Sequence, residues 1–145
     1  MLFTDVMTVY NYHRNPASDT DVWQRTIIRG IQWSHNRIDT NTVGSVQTES
    51  RVESITVDFQ KSYGNPEYIP PQEYKALDEN QKGSYWTLDS STVNDILVLG
   101  ESYQEIVSGY KISDLRNDFQ YVGTVSSVSD NRNRRMLKSI KVVAK

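Results

Sequence analysis

The chain has 145 residues, of which 37% are hydrophobic and 23% charged; this suits a single domain spanning residues 1–145 and is too short for two full ones. No apolar run reaches the roughly 18 residues that cross a bilayer, the opening Met1-Leu2-Phe3-Thr4-Asp5 has no basic stretch ahead of an apolar one, and cysteine is absent, so a membrane span, a signal peptide, disulfides and thiolate chemistry are not expected. Sixteen basic against eighteen acidic side chains give a net charge of −2, which argues against nucleic-acid binding over the whole surface, but residues 131–145 hold six basic and no acidic side chains, a +6 tail on a −8 body.

Strand signals dominate, because Val, Ile, Thr, Tyr and Trp cluster in short runs separated by Asn, Asp, Gly and Pro. The first run, residues 6–12, carries apolar or aromatic groups on both faces (Met7 and Val9; Val6, Tyr10 and Tyr12) and is expected to be covered on two sides. The cluster Arg14-Asn15-Pro16-Ala17-Ser18-Asp19 then turns the chain. Residues 22–33 alternate with period two, placing Trp23, Ile27, Ile31 and Trp33 on one face, and Gly30 inside this run marks a bend or bulge.

The segment Asp39-Thr40-Asn41-Thr42-Val43-Gly44-Ser45-Val46-Gln47-Thr48-Glu49-Ser50 is polar and small, and reads as a long mobile loop. Alternation resumes at Ile55, Val57 and Phe59, so the loop joins two strands of a hairpin. Tyr68-Ile69-Pro70-Pro71 is extended, since a residue before Pro is kept out of helical space. Pro71 then opens a helix toward Asn80 with Tyr74 and Leu77 inward. Gly83 releases the chain into Tyr85-Trp86-Thr87-Leu88, and Ile96-Leu97-Val98-Leu99-Gly100 follows as a continuous apolar run of buried-strand length. A second helix spans residues 113–119, capped by Ser113, with Leu115 and Phe119 on one face. The C-terminal hairpin pairs 121–129 with 136–143 across a turn at Asp130-Asn131-Arg132-Asn133. The fold class expected is mainly β: a small, partly closed β-barrel or sandwich of about six to eight strands with two short helices, its strand order left open.

Catalytic signatures are absent from the sequence. His13 and His35 lack metal-ligand spacing, no nucleophile elbow or phosphate-binding glycine loop occurs, and a pair such as Glu101 and Glu105 has no separation fixed by sequence. Neither a catalytic residue nor a cofactor or metal site is assigned, and an enzyme is not expected. Asn131-Arg132-Asn133-Arg134-Arg135 lacks the interleaved aromatics of a single-strand platform, so its basic side chains suit an acidic patch on a neighbouring subunit better. The three Trp are read as core, while nine Tyr exceed what such a core needs and lean toward protein contact.

Thr8-Val9-Tyr10-Asn11, the run from Val22 to Trp33, Tyr68-Ile69-Pro70-Pro71, Tyr85-Trp86-Thr87-Leu88 and the closing Val128-Ser129-Asp130-Asn131-Arg132 with its Lys-rich last strand together resemble a family of small structural proteins of tailed phages and prophages of Gram-positive hosts, described as minor capsid or head–tail connector proteins. The likeness covers most of the chain, and its motifs carry no catalytic chemistry. It implies a virion protein of the neck, assembled in the host cytoplasm. The implied partners are further copies of itself in a ring of six or twelve, the portal or adaptor, tail proteins, and phage DNA in the channel without sequence-specific contact; neither cofactor nor membrane is implied. A stopper in that setting is a small β-barrel whose long loop between early strands closes the channel, and residues 39–50 stand in the matching position. The basic side chains Arg132, Arg134, Arg135, Lys138 and Lys141 would then dock on the acidic body of a neighbour. A tail-completion or terminator protein shares this outline. A receptor- or carbohydrate-binding β-module of the virion is the alternative from a different class.

Overall fold

A computed structural model describes residues 4–40, 48–59, 63–92, 94–107, 109–133 and 138–145, with backbone alone for 36–40 and 48–51. β1 (Asp5–Asn15) and β2 (Thr20–Thr40) form an antiparallel pair from Asn15↔Thr20 back to Asp5↔Ile31. The polar cluster between them turns the chain as its composition requires: Asn15 Oδ1 accepts the Ala17 N–H at 3.0 Å, and Asp19 takes φ 52°, a left-handed conformation that Asp tolerates better than most residues.

β3 (Thr48–Asp58) returns along β2, and β8 (Ser139–Ala144) pairs with β3. β7 (Val122–Asp130) lies beside β8, and β6 (Ile96–Leu99) beside β7. β6 then pairs with β1, from Met7↔Leu99 to Tyr10↔Ile96, which closes the antiparallel ring β1-β2-β3-β8-β7-β6 into a barrel. Closure satisfies strand groups that an open sheet would leave at its edges. The mainly β expectation is met, with six strands in the barrel. A separate two-stranded parallel sheet joins β4 (Glu67–Tyr68) to β5 (Tyr85–Trp86).

Three short helices occur among the described residues where two were expected. The segment from Pro71 to Asn80 divides into α1 (Pro71–Lys75) and α2 (Glu79–Lys82), because Asp78 stays extended at ψ 158° while its N–H donates to Gln81 Oε1 at 3.2 Å. That contact starts a new helix instead of continuing the old one. α3 (Ile112–Asp118) begins one residue before the expected start, and Ser113 lies inside it. Its N-terminus is tied by Asp114 Oδ2, which accepts the Lys111 N–H at 2.8 Å.

β1 is buried on both faces, as its composition indicated. Met7 and Val9 join Ile28, Ile55, Val57, Leu97, Val125, Ile140 and Val142 inside the barrel, with Tyr68, Trp86 and Leu88 added from outside its strands. Tyr10 points the other way, to a second cluster with Ile96, Val98 and Leu115 of α3. The segment after β6 is pinned across that outer face: Thr8 Oγ1 donates to Gly100 O at 2.8 Å and accepts the Ser102 N–H at 2.8 Å, and Tyr10 OH donates to Gln104 O at 2.7 Å.

A bulge at Gly30 reverses the inward face of β2. Val6 pairs with Arg29 and Asp5 with Ile31, leaving Gly30 unpaired at φ 78°. A one-residue slip exchanges the two faces of a strand, so Ile28 before the bulge and Ile31 and Trp33 after it all enter the core. Trp23 and Ile27 are only partly buried, and the single shared face with Ile31 and Trp33 expected from strict alternation does not form.

A buried polar knot fixes the chain between β5 and β6. Asn11 Nδ2 donates to Thr87 O at 2.5 Å and to Asp95 Oδ2 at 3.1 Å, and Asp95 also accepts the Tyr12 N–H at 2.8 Å and the Asp89 N–H at 2.9 Å. Asp95 is 1% exposed, and the loss of water around it raises its pKa to about 6 despite these donors.

Candidate functional site: the β2–β3 arm and its root

Beyond the barrel, β2 and β3 continue as a two-stranded arm. β1 pairs with β2 no farther than Ile31, and β8 pairs with β3 no farther than Glu53. The pairs Asn36↔Val52, Arg37↔Arg51, Ile38↔Ser50, Asp39↔Glu49 and Thr40↔Thr48 therefore have no third strand beside them among the described residues. Five pairs at about 3.3 Å per residue make an arm roughly 16 Å long. Both of its edges carry backbone groups that no described strand uses, which is the surface on which another strand can add.

This corrects the two ends of the loop expected over residues 39–50. Asp39 and Thr40 belong to β2, and Thr48, Glu49 and Ser50 belong to β3. Asn41, Thr42, Val43, Gly44, Ser45, Val46 and Gln47 lie outside the described residues. Apolar alternation is the signal by which strands are recognised, and the polar, small residues 39, 40 and 48–50 do not carry it.

The root of the arm is held by one buried carboxylate. His35 and Glu53 face each other across β2 and β3, with His35 Nδ1 2.5 Å from Glu53 Oε1. Trp33 Nε1–H donates to the other oxygen, Oε2, at 2.8 Å. Glu53 is 5% exposed, and a carboxylate so deeply placed requires donors at both oxygens. The Tyr121 ring packs on His35 with centroids 4.7 Å apart, and Trp33 N–H donates to Asp5 Oδ2 at 3.0 Å. Two strands, the β1 terminus and the start of β7 thus converge where the arm leaves the barrel. Alternation placed Trp33 in the core; nothing in the spacing of His35 and Glu53 marked them as partners, because their contact depends on the hairpin register.

The candidate interface residues are dispersed. Arg132 is engaged within its own chain: its guanidinium holds Asp130 through Nε and Nη2 at 2.8–3.0 Å and lies 4.6 Å from the Tyr68 ring centre. That contact keeps the Asp130 carboxyl below the usual range. Lys138 and Lys141 are exposed, the latter on β8. Arg134 and Arg135 lie outside the described residues.

Two other surface features are occupied by their own contacts. A cleft of about 380 Å³ is lined by Phe59, Tyr63, Tyr68, Trp86 and Arg132, but Trp86 and Tyr68 are 1% and 7% exposed and offer no open ring face for a sugar to stack on. Glu101 and Glu105 are held by different arginines, Arg29 at 2.6 Å and Arg25 at 3.0 Å. Among the described residues no group of His, Asp and Glu is placed to hold a metal ion, and no helix is long and apolar enough to cross a membrane.

Residues 2–145 match a family of unknown function, DUF6751. The chain belongs to that family. No curated protein and no solved structure matches it. Membership of DUF6751 takes in both the barrel and the arm, since the match runs through all eight strands.

Proposed function

We propose that this chain is a virion structural protein of the tailed-phage neck, a head–tail connector of the stopper type that forms a ring below the portal and adaptor. Its β2–β3 arm reaches into the channel and closes the DNA path. The observation that carries this reading is the arm itself: a ribbon beyond the last barrel pairing, stiffened at its root by Trp33, His35 and Glu53. The charge pattern supports it as well. An acidic body lines a DNA conduit without gripping its cargo, because like charges repel, and in this reading the exposed Lys138 and Lys141 meet the acidic body of a neighbouring copy.

Deletion of residues 42–47 tests the reading in assembled particles. Rings should still form and be visible by electron microscopy, while DNA-filled heads should lose their DNA. Heads that retain DNA with the shortened arm would remove the arm from channel closure. Ring formation should also weaken steeply between 50 and 500 mM salt, by about tenfold or more, if opposite charges hold the copies together; rings indifferent to salt would remove the basic strand from assembly.

A further inference from the structure

A pocket of about 220 Å³ opens between the end of β1, the two helices α1 and α2, and the chain after Leu88. Two buried basic side chains, Lys82 and His13, line it. Lys82 is 5% exposed, donates from Nζ to Leu77 O at 2.6 Å and stands 5.6 Å from the Tyr74 ring centre. No carboxylate among the described residues pairs with it. His13 is 8% exposed; its Nε2 lies 2.8 Å from Glu79 Oε2, and its Nδ1 is buried with no hydrogen-bond partner among the described residues.

The more exposed lining adds further donors. Arg14 binds Asp19 and Asp21 at 2.9 and 2.8 Å, Lys75 lies 3.2 Å from Asp89 Oδ2, and Thr92 completes the wall. Asp89 is the acidic residue that lines the pocket, and it is already occupied by Lys75 and by the Ser91 N–H and hydroxyl at 2.9 and 2.6 Å.

A buried ammonium without a counter-ion is costly, and a buried ring nitrogen without a partner adds to that cost. An acceptor-rich anion relieves both: one oxygen receives Lys82 Nζ–H, and another receives His13 Nδ1–H. We propose that this pocket binds a phosphate-type oxyanion, free or as a phosphodiester of a nucleic acid. Several oxygens suit donors that converge from β1, α1 and α2 better than the two of a carboxylate do. The proposal stands independently of the neck reading.

The experiment compares thermal unfolding of the full chain in inorganic phosphate and in chloride at equal ionic strength. Phosphate should give a saturable rise in Tm of about 3 °C or more. Lys82→Met, which keeps the side-chain length and removes the unpaired charge, should lose that rise and unfold at a higher temperature than the parent in chloride. If Lys82→Met does not fold by circular dichroism, the more exposed variant Arg14→Met/Lys75→Met reads the same loss. Equal Tm in the two salts, or a phosphate rise kept by the folded variant, overturns the proposal. A short single-stranded DNA run in parallel separates the sources: a rise that the variant abolishes supports phosphodiester binding, and a rise with inorganic phosphate alone supports the free ion.

Discussion

The Tyr63 ring lies over Gly30, in the space where a β-carbon at that position would stand. Gly30 takes φ 78° at the bulge, and Asn65 braces the neighbouring residue by accepting the Arg29 N–H at 2.9 Å and donating to Arg29 O at 2.8 Å. Two costs therefore meet in Gly30→Ala, a left-handed backbone that a β-carbon disfavours and a ring that must move. The expected loss is ~1–3 kcal/mol of unfolding free energy, measured by urea denaturation. A loss within a few tenths of a kcal/mol would mean that the bulge tolerates a side chain and does not set the face of β2.

Asp95 should make stability depend on pH in the direction opposite to an ordinary ion-paired carboxylate. Its pKa rises from 3.8 to about 6 on folding, so between these values the folded chain holds a proton that the unfolded chain has released. The contribution of this group is fully present below pH 4, falls as pH rises toward 6, and is lost above it. Asp21, Asp89, Asp130 and Glu101 are lowered instead and act in the other direction, so the comparison must be made against Asp95→Asn. The stability difference between parent and variant should shrink from pH 4 to pH 7 by at most ~3 kcal/mol. A difference that is constant or grows over that range would refute the assignment.

Removal of the Glu53 carboxylate should loosen the arm before it loosens the barrel. Glu53→Ala leaves Trp33 Nε1 and His35 without their acceptor in a buried site, a change worth ~2 kcal/mol, and Glu53→Gln should cost less because one acceptor oxygen remains. Hydrogen exchange monitored by mass spectrometry should show faster amide exchange in residues 36–40, with β6 unchanged. Uniform acceleration across both would place the carboxylate in global stability and not at the arm root.

Local chemistry made most elements legible. The apolar run at Ile96-Leu97-Val98-Leu99, the turn at Asn15 and Asp19, the two-sided burial of Met7 to Tyr10 and the Gly30 bulge all follow from short-range rules of side-chain burial and backbone conformation. The division between α1 and α2 was also within reach, since Asp78 and Gln81 stand at the spacing at which a cap and its reciprocal side chain meet. The arm was not, because the polar, small residues 39, 40 and 48–50 display no apolar alternation. Arg132 shows the same gap from the other side: its place in a basic cluster suggested an outward role, while Asp130 and Tyr68 turn it inward.

The sequence by itself determined where most of the barrel strands would run, where the chain would turn, and that apolar packing without disulfides would hold them. Tertiary structure alone decided that six of those strands close into a ring, that β6 meets β1 and β8 meets β3 across most of the chain, and that Trp33, His35 and Glu53 come together. The reason is the range of the forces. Period-two burial and turn chemistry act over a few neighbouring residues, whereas strand partnership is fixed by whether twist, register and closure can be satisfied everywhere at once.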